Sequence, residues 1–230
     1  MTPATDRPRS DDPLTSFIAR SLRAEVSAVT EEIVQDTTEA EIDRVRFTQD
    51  GERRSLVIKR VPPHASLEVK LLPHLARKSD RVPAVFARGI PPTTVAAWPW
   101  LLIEDLLDAP PAAPDLDGVV LAKVAIERSV LADGPALGAL GVPRMARRGA
   151  LAEWPEVLVH GALRRAYAVR ADRGIVLTEW RHASLGAGLL DVVRLARDAG
   201  VATRPLAASY AAAVGRLLDD ASLAAAEELV

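Results

Sequence analysis

A histidine and a glycine side by side, then two adjacent arginines, stand in Val159-His160-Gly161-Ala162-Leu163-Arg164-Arg165-Ala166-Tyr167-Ala168-Val169. Guanidinium forks bind phosphate oxygens in a bidentate way, so Arg164 and Arg165 are candidate ligands for a small phosphate compound. The plainer reading has them solvated or paired with Glu153, Glu156 or Asp172. Upstream, Lys59 closes an apolar alternation, Glu68 opens a helical stretch, and Leu101-Leu102-Ile103-Glu104-Asp105-Leu106 ends acidic. Each of these charges taken alone is most simply a solvated side chain. His64, His74, His160 and His182 lack the close pairing of metal ligands, and with Cys absent a zinc site is not expected. The chain has no Gly-x-x-x-x-Gly-Lys-Ser/Thr loop and no Gly-x-Ser-x-Gly turn, which argues against a P-loop nucleotide site and an esterase.

The elements that must position these residues are legible in outline. Leu14, Phe17, Ile18 and Leu22 share one face of a short opening helix. Val45 and Phe47, then Asp50-Gly51, then Leu56 and Ile58 predict two strands joined by a tight turn that glycine accommodates. Ser66 to Arg77 reads as a helix with a kink at Pro73. Pro83 to Gly89 and Ala97 to Asp105 predict two more strands, and a run containing Pro110, Pro111 and Pro114 breaks the chain before a helix over Leu116 to Leu131. Pro135 to Pro155 reads as a loop with short helical turns. Short strands are expected at Val157 to Val159, Tyr167 to Val169 and Ile175 to Leu177, then helices at Leu189 to Asp198, Pro205 to Leu218 and Ser222 to Leu229.

In order, these parts match those of a kinase fold. The stretch around His160, with Ile175-Val176-Leu177-Thr178-Glu179-Trp180, resembles the aminoglycoside phosphotransferase and choline kinase family, whose catalytic loop reads His-Gly-Asp-x-His-x-x-Asn and is followed by Ile-Asp-Trp/Phe. Ala183-Ser184-Leu185-Gly186 and Leu189-Leu190-Asp191-Val192 resemble the family's stretch beyond its metal-binding turn, so the likeness runs from about Ser55 to Leu195. It implies an α+β fold of two lobes: a small mixed-sheet lobe over 14–106 and a shortened, mainly helical lobe over 107–230 that carries the loop segment 157–181. Residues 1–13 would be a flexible leader. It further implies ATP or GTP as ligand, with Lys59 neutralising phosphates, Glu68 holding the lysine, and the backbone of Glu104, Asp105 and Leu106 pairing with the base.

The departures decide the expected function. The family's catalytic aspartate falls on Ala162, whose methyl group accepts no proton, and the metal-holding asparagine falls on Tyr167, a poor donor to a hard cation. The second histidine becomes Arg164, and the metal-binding aspartate becomes Glu179, which leaves Glu179 as the one carboxylate for magnesium and makes magnesium doubtful. Losing a base removes roughly 10² to 10⁴ in rate. A pseudokinase is therefore expected, acting by binding a nucleotide, a small molecule or a partner protein. The alternative is an active ATP-dependent phosphotransferase whose base has moved elsewhere.

Composition sets the outer bounds. With 230 residues, 49% of them hydrophobic, the chain can bury a substantial core. A net charge of -2 offers no general attraction to nucleic acid, and the cluster Arg144, Arg147 and Arg148 lacks interleaved aromatics, so nucleic acid is not expected as a partner. Trp98, Trp100, Trp154 and Trp180 are assigned to packing. No stretch approaches the about 20 apolar residues of a membrane span, so no membrane contact is expected. The lack of cysteine fits a reducing compartment, and a cytoplasmic location is expected.

Overall fold

The computed structural model describes residues 13–91, 97–112 and 115–230. The expected leader, apart from Pro13, lies outside the described residues, as does Pro114. The chain divides into two compact units, one formed by residues up to Val61 with Phe86–Asp105, the other by Pro62–Val85 with Leu106–Val230. The segment 62–85, expected in the first lobe, thus groups with the second unit.

Among the described residues the first unit is a sheet with one helix. Helix α1 (Pro13–Leu22) is followed by strands β1 (Ser27–Asp36), β2 (Glu41–Gln49), β3 (Glu52–Arg60), β4 (Val85–Gly89) and β5 (Trp100–Glu104), in the spatial order β1-β2-β3-β5-β4. The pairings β1–β2, β2–β3 and β3–β5 are all antiparallel. Asp50 and Gly51 both take positive φ, 52° and 80°, the backbone that a two-residue hairpin needs to follow the twist of its strands. Alternation then sorts the side chains: Val45 and Phe47 with Leu56 and Ile58 face one way and close on Ile18 and Leu102, with Leu14, Phe17 and Leu22 of α1 beside them. The tryptophan of β5 packs edge-on to Phe17 at 5.1 Å between ring centres.

The second unit is mainly helical. It contains α2 (Leu67–Ala76), α3 (Leu116–Ser129), α4 (Gly134–Ala139), α5 (Leu189–Ala199), α6 (Thr203–Ala213) and α7 (Asp220–Leu229). Two small antiparallel ladders complete it, β6 (Glu156–Val159) with β9 (Ser184–Ala187) and β7 (Ala168–Ala171) with β8 (Gly174–Leu177). Asp115 caps α3 by accepting from the Gly118 N–H at 2.9 Å, and Gly200 ends α5 at φ 67°, where a left-handed residue closes the last turn. The core includes Trp154 stacked on Tyr210 at 5.9 Å. Among the described residues no helix is long and apolar enough to cross a membrane.

Candidate functional site

In the second unit the loop after β6 is held from behind by one buried carboxylate. Asp191 sits in the first turn of α5 and is fully buried. Its Oδ2 accepts from the His160 N–H at 2.6 Å and its Oδ1 from the Gly161 N–H at 2.9 Å. The same carboxylate lies 3.7 Å from Lys123 Nζ and 3.7 Å from an Arg194 guanidinium nitrogen. Lys123 also pairs with Glu127, one helical turn along α3, and the Tyr210 hydroxyl donates to Glu127 at 3.1 Å. Burial pulls the Lys123 ammonium down to about 8, with Asp191 opposing it, and burial pushes the Tyr210 phenol up. A buried network of this kind is favourable only when its members are mutually satisfied, so it fixes the loop to the helices in one register.

The histidine of the loop acts as a support. His160 is fully buried, and its Nε2–H donates to the Thr178 carbonyl at 2.6 Å. Its ring lies against Trp180 and Tyr167, at 4.7 Å and 6.1 Å. Nδ1 has no hydrogen-bond partner among the described residues, and burial lowers the imidazole's affinity for a second proton, so the ring is neutral. A folded-state pKa below the unfolded 6.5 means that the unfolded chain binds more protons as pH falls, so this stability is present above pH 6.5 and lost below it. Denaturant titrations from pH 7.5 to 4.5 should show wild type losing up to about 1.4 kcal/mol per pH unit more than His160→Phe below pH 6.5. Parallel curves would mean that His160 does not titrate between the two states.

Beyond the histidine and glycine, Ala162 is half-buried, Leu163 is buried, and Arg164 is exposed with no ion pair among the described residues. Arg165 faces Asp198, which accepts from its backbone N–H at 2.9 Å and lies 3.8 Å from its Nε. That partner differs from the Glu153, Glu156 or Asp172 expected from the sequence. Tyr167 ends a 3-10 turn, and its carbonyl accepts from the Thr178 backbone N–H at 2.9 Å. Glu179 takes a left-handed backbone, φ 63°, and its carboxylate lies 3.6 Å from Arg181 Nε. Glu68, at the start of α2, accepts from the Trp180 N–H at 3.1 Å, which ties α2 to the turn that begins at Glu179.

A metal in the manner of a kinase needs several hard oxygen donors. Here the candidate donors are Glu179, which faces an arginine, and the phenol of Tyr167. Among the described residues there is no group of three His, Cys, Asp or Glu able to hold a metal ion. These residues do not fit a magnesium ion held at the loop.

In the first unit, Lys59 lies near the end of β3, opposite Leu101 of β5 and Ile42 of β2, and is buried. Asp105, just past β5, pairs with Arg44 of β2, Nε to Oδ2 at 2.8 Å and Nη2 to Oδ1 at 3.3 Å. Glu104 is opposite Leu56, and Leu106 belongs to the second unit, as does Glu68.

Sequence reasoning missed two functional candidates. Asp191 carried a signal, being an acid in the apolar run Leu189-Leu190-Asp191-Val192-Val193, and a charge so placed is buried only with partners. Arg44 carried a weaker one, an arginine between Asp43 and Val45 on the polar side of the alternation.

The fold these units make is the kinase-like fold of small-molecule phosphotransferases. A macrolide 2'-phosphotransferase, MphH from Brachybacterium faecium, matches with a TM-score of 0.61 at 17% identity, over 95% of this chain and 88% of that one. A putative aminoglycoside phosphotransferase from Ralstonia eutropha JMP134 matches at 0.60 with 13% identity, over 90% and 80%. The amicoumacin kinase hAmiN, solved with AMP-PNP, Ca2+ and Ami, matches at 0.58 with 12% identity, over 94% and 81%. No protein-family model and no curated protein matches the chain. Likeness at these identities establishes the fold, and activity has to be argued from the site.

Proposed function

We propose that this protein is a kinase-fold binding protein with impaired phosphoryl transfer, taking a phosphate-bearing small molecule, a nucleotide such as ATP or GTP, or a protein partner. The observation that carries the reading is Ala162. It directly follows His160 and Gly161, whose backbone Asp191 holds fixed, so the loop is built and anchored while the position after it offers a methyl group. Proton abstraction from an acceptor alcohol needs an oxygen or nitrogen base within hydrogen-bond reach, and a methyl supplies none. Tyr167 and the arginine-facing Glu179 add a second deficit, because charge that builds up on a transferring phosphoryl group is ordinarily neutralised by metal ions. The binding part of the reading is supported by Lys59 on its strand, by Arg164 and Arg165 on the loop, and by the nucleotide analogue bound to the amicoumacin kinase. As for location, a cytoplasmic protein fits a chain without cysteine.

Labelled ATP, magnesium and a panel of hydroxyl compounds including macrolides and aminoglycosides test this directly. Phosphate transfer at the no-enzyme background, the same for wild type and Glu179→Ala, is the expected result. Turnover that wild type shows and Glu179→Ala loses would make the protein a working phosphotransferase with its base elsewhere.

A further inference from the structure

The strand face that carries Lys59 holds a second feature, and it bears on what that face accepts. Arg44 lies directly across the ladder from Val57, and Val57 is the next residue on the Lys59 side of β3. Ile103 of β5 is opposite Val57 in turn, so Val57 and Ile103 are the apolar ground between Lys59 and the strand end at Glu104 and Asp105. From its place on β2 beside Val57, the Arg44 side chain reaches across β3 to the Asp105 carboxylate just past β5, in a two-contact ion pair whose members are only 8% and 7% exposed.

A nucleotide lying along this face, with its phosphates at Lys59 and the edge of its base at the backbone of Glu104 and Asp105, has to rest its ring on Val57 and Ile103. A flat ring gains from such a site by burying apolar surface on both faces. Here it would meet a dehydrated ion pair instead. Displacing one member leaves the other as a buried charge without its partner, which is strongly unfavourable, whereas leaving the pair in place denies the ring its seat.

We propose that Arg44, locked by Asp105, closes the Lys59 face to a purine base, so that Arg44 sets the ligand preference of this site toward the phosphate part of a ligand and away from the nucleoside. The inference rests on the kinase-like placement of a ligand along this face, as in the proposed function, and not on the loss of catalysis. Binding and turnover therefore report on the two separately.

The test titrates whole protein with ATP and with inorganic tripolyphosphate by calorimetry. It compares wild type with Arg44→Val/Asp105→Leu, in which both charges go together so that none is stranded. In wild type, ATP and tripolyphosphate should bind within about threefold of one another, because the base contributes nothing. The double variant, checked for folding by circular dichroism and thermal midpoint, should gain about tenfold or more in ATP affinity with tripolyphosphate unchanged. Wild type preferring ATP over tripolyphosphate by about tenfold or more overturns the proposal, as does a folded double variant that gains nothing for ATP, while wild type that binds neither ligand overturns it together with the ligand placement on which it rests. The wild-type comparison needs no variant and decides by itself if the double variant does not fold.

Discussion

Asp191→Ala is expected to lower the unfolding free energy by about 3–5 kcal/mol, the loss usual when one member of a buried charged cluster is removed. The carboxylate is fully buried and serves four groups at once: the N–H of His160, the N–H of Gly161, Lys123 and Arg194. Alanine strands one buried and one partly buried N–H donor, and leaves Arg194 without this carboxylate and Lys123 with Glu127 alone. Asp191→Asn keeps one acceptor oxygen and should fall between, at about 1–3 kcal/mol. Urea unfolding monitored by tryptophan fluorescence measures both. An alanine variant within about 1 kcal/mol of wild type would show that the loop is held by other contacts.

Gly161→Ala should cost about 3 kcal/mol or more, from two sources that add. Gly161 has φ 84°, a backbone that an L-residue adopts only under strain. A Cβ there would also overlap the carbonyl group of His182, which is backbone and has no rotamer by which to give way. Gly51→Ala is the control: its φ is 80°, yet nothing stands within 4 Å of a Cβ, so it should cost only the conformational part, about 1 kcal/mol. Equal losses in the two variants, read from the same urea curves, would assign the whole effect at Gly161 to φ and none to His182.

How far the fold could be read from sequence depended on how each segment is buried. The hairpin of β2 and β3 was legible because one of its faces is packed and the turn residues are the ones a two-residue loop demands. β1 went unread: all but one of its residues are exposed and it carries two register shifts against β2, so it has no alternation to find. β9 failed for the opposite reason, since Ser184, Leu185, Gly186 and Ala187 are all buried and a strand dry on both faces has no polar side to mark it. Helix α6 begins at Thr203 and stops at Ala213, ahead of Gly215 at φ 71°, so the expected extension to Leu218 overran a glycine stop. The loop motif was visible because its residues are contiguous. Its anchors were not, because Asp191 lies about thirty positions downstream of His160 and Arg44 about sixty from Asp105, and local pattern carries no information over such separations.

The interleaving of the two units has a consequence for synthesis. Strand β3 ends at Arg60 and its neighbour β5 begins only at Trp100, and between them the chain makes α2, whose Leu71, Leu72 and Leu75 are buried in the finished molecule and whose Glu68 waits for Trp180. As the polypeptide leaves the ribosome, the first sheet can close while this helix still has no home and presents an oily stripe to the surroundings. A truncation after Asp105 would make that condition permanent, which gives the nascent chain a window in which a holdase chaperone has something to grip.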